Sequence, residues 1–229
     1  MLKYLVSVLV LLAYSTMAVD DRLDAYLPKT NNVVKKKQFD LSFDADKHTA
    51  RWVMYILDDT TLTHTYSRKG KGFHKDPRLP STTPAAYVKS GYDQGHMCPA
   101  EDMEFDDGAL TETFETSNVI PQSPHINRGV WKTIENEARA KAKAEHLIVV
   151  ITGPIYVDKG NAPTLPDGTM IPSGMFKILY NPATKHVICH IVSNDDKMAD
   201  AQGPAKLDVP LKDVEDMIGV KFPFDRLVK

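Results

Sequence analysis

The residues able to do chemistry crowd into one stretch. It runs Asp93-Gln94-Gly95-His96-Met97-Cys98-Pro99-Ala100, then Ser117-Asn118-Val119-Ile120-Pro121-Gln122-Ser123-Pro124-His125-Ile126-Asn127-Arg128-Gly129-Val130-Trp131, and reaches Glu135. An imidazole such as His96 titrates near neutrality and suits a general base. Asn127 stands at the mouth of an expected helix, and Glu135 lies about two and a quarter turns further on. On a regular α-helix that leaves the two roughly 80° apart on one broad face. A hard cation such as Mg²⁺ takes oxygen ligands, keeps several waters and needs one or two protein groups. Asn127 as direct ligand, with Glu135 gripping a metal-bound water, has that form. Each residue also has a structural reading: His96 as a loop hydrogen-bonder, Asn127 as a helix cap, Glu135 as a solvated charge. Spacing alone leaves these alternatives open.

The elements that position these groups follow from periodicity. Trp131, Ile134, Ala138 and Ala142 recur at three- and four-residue steps, which predicts a helix from Val130 to about Glu145. Leu147 to Ile151 is a continuous β-branched run stopped by Gly153-Pro154, expected as a central strand covered on both sides. Ala50 to Leu57 reads as a core strand, with Thr61 to Tyr66 as its partner across a turn at Asp58-Asp59-Thr60. Phe176 to Tyr180 and His186 to Val192 form a hairpin through Asn181-Pro182-Ala183-Thr184. Leu211, Val214 and Ile218 mark a short helix closed by Gly219. Ser67 to Tyr92, broken by Gly and Pro, is a long surface loop, and such loops inside compact domains are usually functional. Residues 19–50 read as polar and irregular, with Lys35-Lys36-Lys37 a solvated run. The expected fold is α+β, a mainly antiparallel central sheet flanked by helices.

Composition bounds the rest. The 229 residues are 42% hydrophobic, 25% charged and 8% aromatic, which excludes disordered, collagen-like and low-complexity chains. Lys3 followed by the apolar run Leu5 to Ala13 and by Thr16-Met17-Ala18 has the pattern of a secretory signal peptide, residues 1–18. The run is short of the roughly 20 residues that span a bilayer. Residues 19–229 then form a single domain, and the expected location is secreted or periplasmic. The formal charge of −2 becomes about −3 without Lys3, too little to steer a polyanion over long range. The two cysteines, Cys98 and Cys189, are read as buried free thiols, ahead of a single bridge. A zinc site with His96 and His190 is disfavoured, because Cys189 and His190 are neighbours on a strand and point to opposite faces.

The segment Asp93 to Glu135 resembles the signature of the DNA/RNA non-specific endonucleases, the ββα-metal nucleases. That pattern is Asp-Arg-Gly-His with a following Pro, then Ser-Asn-hydrophobic-x-Pro-Gln, Asn-x-Gly-x-Trp and a final Glu. The similarity continues through Thr152-Gly153-Pro154-Ile155, Ile171-Pro172-Ser173, Phe176-Lys177 and the Leu211 to Phe222 stretch. The resemblance implies a ββα-metal active-site motif with His96 as general base and Asn127 as the direct ligand of Mg²⁺ or Mn²⁺. It implies Glu135 as the carboxylate holding a metal-bound water, and Asn118 as a carboxamide orienting the site and its substrate phosphate. Arg68 matches an upstream phosphate-binding arginine, with Lys71 as the substitute candidate, while Gln122 is structural. At Gln94 the chain departs from the pattern. Gln94 is still expected to contact the substrate phosphate, but with a neutral amide in place of a permanent guanidinium and its bidentate grip.

The reaction this implies is hydrolysis of DNA and RNA phosphodiesters to 5′-phosphate ends, with little sequence discrimination. A contrasting expectation is an exported nucleic-acid-binding or DNA-uptake protein that cleaves weakly or not at all because of Gln94. An unrelated serine hydrolase lacks support, since Gly-x-Ser-x-Gly is absent.

Overall fold

The structure is a computed structural model that describes residues 22–29, 32–157, 162–197 and 208–224. The expected leader, residues 1–18, lies outside the described residues. Among the described residues there are eight strands: β1 (Val33–Lys35), β2 (Phe39–Asp44), β3 (Thr49–Asp58), β4 (Asp93–His96), β5 (Val119–Gln122), β6 (Leu147–Ile155), β7 (Gly174–Tyr180) and β8 (Val187–Ser193). Four α-helical segments accompany them: α1 (Asp107–Thr113), α2 (Pro124–Ile126), α3 (Lys132–Glu145) and α4 (Leu211–Ile218). Six strands form one antiparallel sheet in the order β1-β2-β3-β6-β7-β8, and β4 pairs with β5 in a separate two-stranded ribbon. No helix among the described residues is long and apolar enough to cross a membrane.

Both faces of the sheet are covered, which explains the unbroken apolar run in β6. Ile148 and Val150 face one side, where Trp131, just ahead of α3, and Ile134, Ala138 and Ala142 of α3 pack. Val149 and Ile151 face the other, against Val214 of α4, Phe222 and Phe224. With both alternating sets buried, neither can be polar. The same alternation separates the cysteines. Cys98 packs in the first cluster and Cys189 in the second, both buried free thiols on opposite sides of the sheet.

Four expectations are corrected. Thr61 to Tyr66 is not a strand: β3 already has β2 on one edge and β6 on the other, and the amides of Thr65 and Tyr66 bond the Glu104 carbonyl instead. Residues 19–50 are not uniformly irregular, because β1 and β2 lie there. Phe39, Leu41 and Phe43 alternate, but their intervening neighbours Asp40, Ser42 and Asp44 are buried too, so a polar face never shows. Gly153-Pro154 does not stop β6. Pairing with β3 ends at Thr152, and the strand continues against β7 alone, an edge setting that tolerates proline. Gly153 fits there because a Cβ would lie 2.4 Å from the Arg51 carbonyl.

The fourth correction concerns the lysine run. Lys36 is not solvated; its side chain is fully buried and ion-paired to Asp76 and Glu115. Burial pushes the Asp76 carboxyl up, but bonds from Lys36, Ser117 and the Arg78 amide outweigh it and hold it below the ordinary carboxylate range. Glu115 moves the other way, because burial prevails over its share of Lys36. The cluster therefore ties the β1–β2 turn to the long loop and to the segment entering β5. Lys36→Met would leave two carboxylates facing each other, and an unpaired buried charge costs about 3–5 kcal/mol. Urea unfolding at pH 7 should show a loss of that size, and a change below about 1 kcal/mol would contradict the pairing.

Candidate active site

The site is a cleft of about 510 Å³ between the β4–β5 ribbon, the 67–92 loop and the start of α3. Its lining includes Arg68, Gln94, His96, Asn127, Arg128 and Glu135. His96 ends β4 opposite Val119 and is wedged between two phenylalanines, with ring centroids 4.9 Å from Phe73 and 5.2 Å from Phe114. Its Nε2 is enclosed and lacks a partner among the described residues. Burial, helped by the nearby Arg68 guanidinium, pushes its pKa down to about 3 and keeps the ring neutral. Arg68 itself lies over the Phe114 ring at 5.7 Å.

The ribbon can carry His96 because it is packed to close tolerance. Gly95 sits against the Gln122 side chain, and a Cβ there would lie 2.1 Å from its Oε1. Gln122 is accordingly buried and lies outside the cleft lining. Asn118 holds the other end. Its Oδ1 accepts from the Cys98 amide at 2.9 Å, while its Nδ2 donates to the carbonyls of Cys98 and Thr113 at 2.9 and 3.0 Å. That corrects one expectation: Asn118 is buried, its amide is fully occupied by backbone, and it lies outside the cleft lining. It positions the backbone beside His96 and does not reach a substrate phosphate. Lys71 is corrected too. Its ammonium bonds Asp107 at 2.8 Å and Thr111 at 2.7 Å on α1, away from the cleft, leaving Arg68 as the loop cation that faces it.

Asn127 and Glu135 are not on one regular helix. After the single turn of α2, Asn127 to Trp131 widens into a π-turn whose Gly129 is non-helical at φ −107° and ψ −106°, and α3 starts at Lys132. Wide turns of this kind recur at functional sites. Both residues nonetheless reach the same cleft. Asn127 Nδ2 donates to Asp93 Oδ2 at 2.9 Å, which assigns the nitrogen and leaves the carbonyl oxygen as the ligand atom on offer. Burial pushes Asp93 up, but Arg128 and Asn127 together hold it below the ordinary range.

Beneath α3 lies a group of charges that the sequence reading did not single out as functional. Lys177, in mid-β7 and fully buried, sits 4.7 Å from the Trp131 ring centroid. Asp102 is buried and paired to Arg139 at 2.7 Å. Burial raises Glu135 to about 7; Lys177 and Arg139 oppose this while Asp102 and Glu101 add to it. A lysine inside the apolar strand Met-Phe-Lys-Ile-Leu-Tyr was the one signal of this network in the sequence.

The donor set fits a hard divalent ion. No cluster of three or more His, Cys, Asp or Glu able to hold a metal exists among the described residues. A single carboxamide oxygen beside a carboxylate suits an ion that retains most of its water.

The chain belongs to the DNA/RNA non-specific endonuclease family, whose sequence model matches residues 24–227. It is 31% identical to the mitochondrial nuclease EXOG of Xenopus laevis over 199 residues, covering 80% of this chain and 55% of that protein. Against mitochondrial endonuclease G of Bos taurus it is 30% identical over 139 residues, 59% of this chain and 46% of that one. The chain thus spans about half the length of these curated relatives. A chain of the crystal structure of the EndoG/EndoGI complex superposes with a TM-score of 0.83 at 23% identity, covering 93% of each, so the fold is shared.

Two pH responses follow for metal-free protein. Glu135 binds its proton more tightly folded, about 7 against an ordinary 4.5, so its ionisation destabilises the fold in full above pH 7 and not at all below 4.5. Glu135→Gln should therefore raise Tm at pH 8 and have a vanishing effect near pH 4.5; a gain independent of pH would contradict this. His96 runs oppositely, and its imidazole NMR signals in EDTA should not titrate between pH 8 and 5. A midpoint near 6.5 would overturn its enclosure.

Proposed function

We propose that the chain is an exported, metal-dependent endonuclease that hydrolyses DNA and RNA phosphodiesters without sequence preference and leaves 5′-phosphate ends. The observation that carries this reading is the convergence of neutral His96, the free Asn127 oxygen and Glu135 on one cleft. Family membership and the resemblance of residues 93–135 to the nuclease signature support it.

The Asn127 oxygen would hold Mg²⁺ or Mn²⁺ directly, with Glu135 gripping its water; when bound, the ion supplies positive charge against the phosphate oxygens. His96 does the proton work. With Nε2 enclosed, Nδ1 takes the proton of the attacking water as its oxygen bonds to phosphorus and the P–O3′ bond breaks. The imidazole is neutral at physiological pH, the form a general base requires, while the same burial lowers its affinity for the proton it takes. Arg68, braced on the Phe114 ring, faces the phosphate from the loop side. Contacts gathered on one phosphate read no base edges, hence the poor sequence discrimination. Export rests on the residue pattern of positions 1–18, and its check is whether protein recovered outside the cytoplasm begins after Ala18.

Purified protein incubated with plasmid and with RNA should cut both in Mg²⁺ or Mn²⁺ and neither in EDTA. His96→Ala should lower the rate about 10²- to 10⁴-fold with unchanged circular dichroism. Binding without cleavage in any divalent ion would overturn the enzyme and favour an exported nucleic-acid-binding or uptake protein.

A further inference from the structure

We propose that Arg128 is a substrate-phosphate-binding residue that supplies, from the helix side of the cleft, the guanidinium that position 94 lacks. This rests on the phosphodiesterase reading of the cleft. Gln94 lines the cleft from β4 with a neutral amide whose Oε1 is buried and has no partner among the described residues. Arg128 lines the same cleft from the π-turn, its side chain 72% exposed.

The way Arg128 is held separates it from an ordinary surface arginine. Its Nε donates to Asp93 Oδ2 at 2.8 Å and its Nη2 to Oδ1 at 2.6 Å, a two-point grip that fixes the plane of the guanidinium. That leaves Nη1 without a protein partner among the described residues. A long side chain normally loses rotamer freedom when it seizes an anion, and here the carboxylate has already imposed that order. Asp93 Oδ2 also accepts the Asn127 amide, so cation and ligand residue converge on one oxygen. Arg128 further neutralises Asp93, which would otherwise repel phosphate beside Gln94. As a stability device the pair counts for little, since exposed ion pairs contribute about 0–1 kcal/mol. With Arg68 on the loop side and Arg128 on the helix side, the cleft is flanked by two guanidiniums.

The test combines duplex binding in EDTA, read by fluorescence anisotropy across a salt titration, with cleavage kinetics in Mg²⁺. Arg128→Gln should raise Kd and KM about tenfold with a smaller change in kcat, and reduce the slope of log Kd against log salt by about 0.9. Arg128→Lys should keep the salt slope, and adding Gln94→Arg to Arg128→Gln should restore both Kd and slope. A variant with wild-type Kd and slope, even if less stable, overturns the proposal, as does a loss confined to divalent-ion affinity, which would mean action through Asn127. Wild-type protein that neither binds nor cuts would overturn the phosphodiesterase reading together with it. Normal cutting by Arg128→Gln would remove only the role of Arg128.

Discussion

Two strands of four residues cannot hold themselves together in water, yet the β4–β5 ribbon carries the imidazole and sets Asp93, Gln94 and His96 in the cleft wall. Everything at the site depends on how that ribbon is clamped. Asn118 closes one end by occupying the backbone groups of Cys98 and Thr113. Asn194, just past β8, closes the other: it accepts from the Ser123 amide at 2.8 Å and donates to the carbonyls of Pro121 and Pro172. Gly95 against Gln122 fixes the middle. Side-chain amides thus do for the ribbon what further strands do for the main sheet.

Charge is arranged on the same principle, locally and in low dielectric. Net charge near zero gives no long-range field, but a few burials decide which groups are ionised. Asp93 is held ionised by its partners, His96 is held neutral by its aromatic walls, and Glu135 is balanced between Lys177 and Arg139 on one side and Asp102 and Glu101 on the other. Lys177 loses solvation, which pulls its proton affinity down, and the fields of Glu135 and Asp102 oppose this only in part.

Much of this was legible in the chain. Where burial is one-sided or complete, periodicity reports it directly: α3, β6, the β7–β8 hairpin and α4 were all read from spacing. Where polar groups are buried in pairs, it does not. Lys36 looks like any lysine beside Lys35 and Lys37 until Asp76 and Glu115 arrive from 40 and 79 residues away. Asp40 and Ser42 hide β2 for a similar reason. At the site, His96, Asn127, Glu135 and Arg68 were singled out by type and position, and the structure places all four in the lining of one cleft. Asn118 and Lys71 were misassigned because a motif records which residues recur together, not which way an amide or ammonium points. Asp93 belongs to the motif and Arg128 is adjacent to one of its residues, and the two acquire meaning only as a pair.

The wide turn at Asn127 to Trp131 places Asn127 and Glu135 on different bodies. Asn127 is fastened to the ribbon through Asp93, whereas Glu135 rides on α3 and hence on the six-stranded sheet. The seam between ribbon and sheet therefore runs between them, and the length of backbone across Gly129 sets their separation. Substitutions in that seam, remote from either residue, would change the spacing of the Asn127 carboxamide and the Glu135 carboxylate while leaving the chemistry of both groups intact.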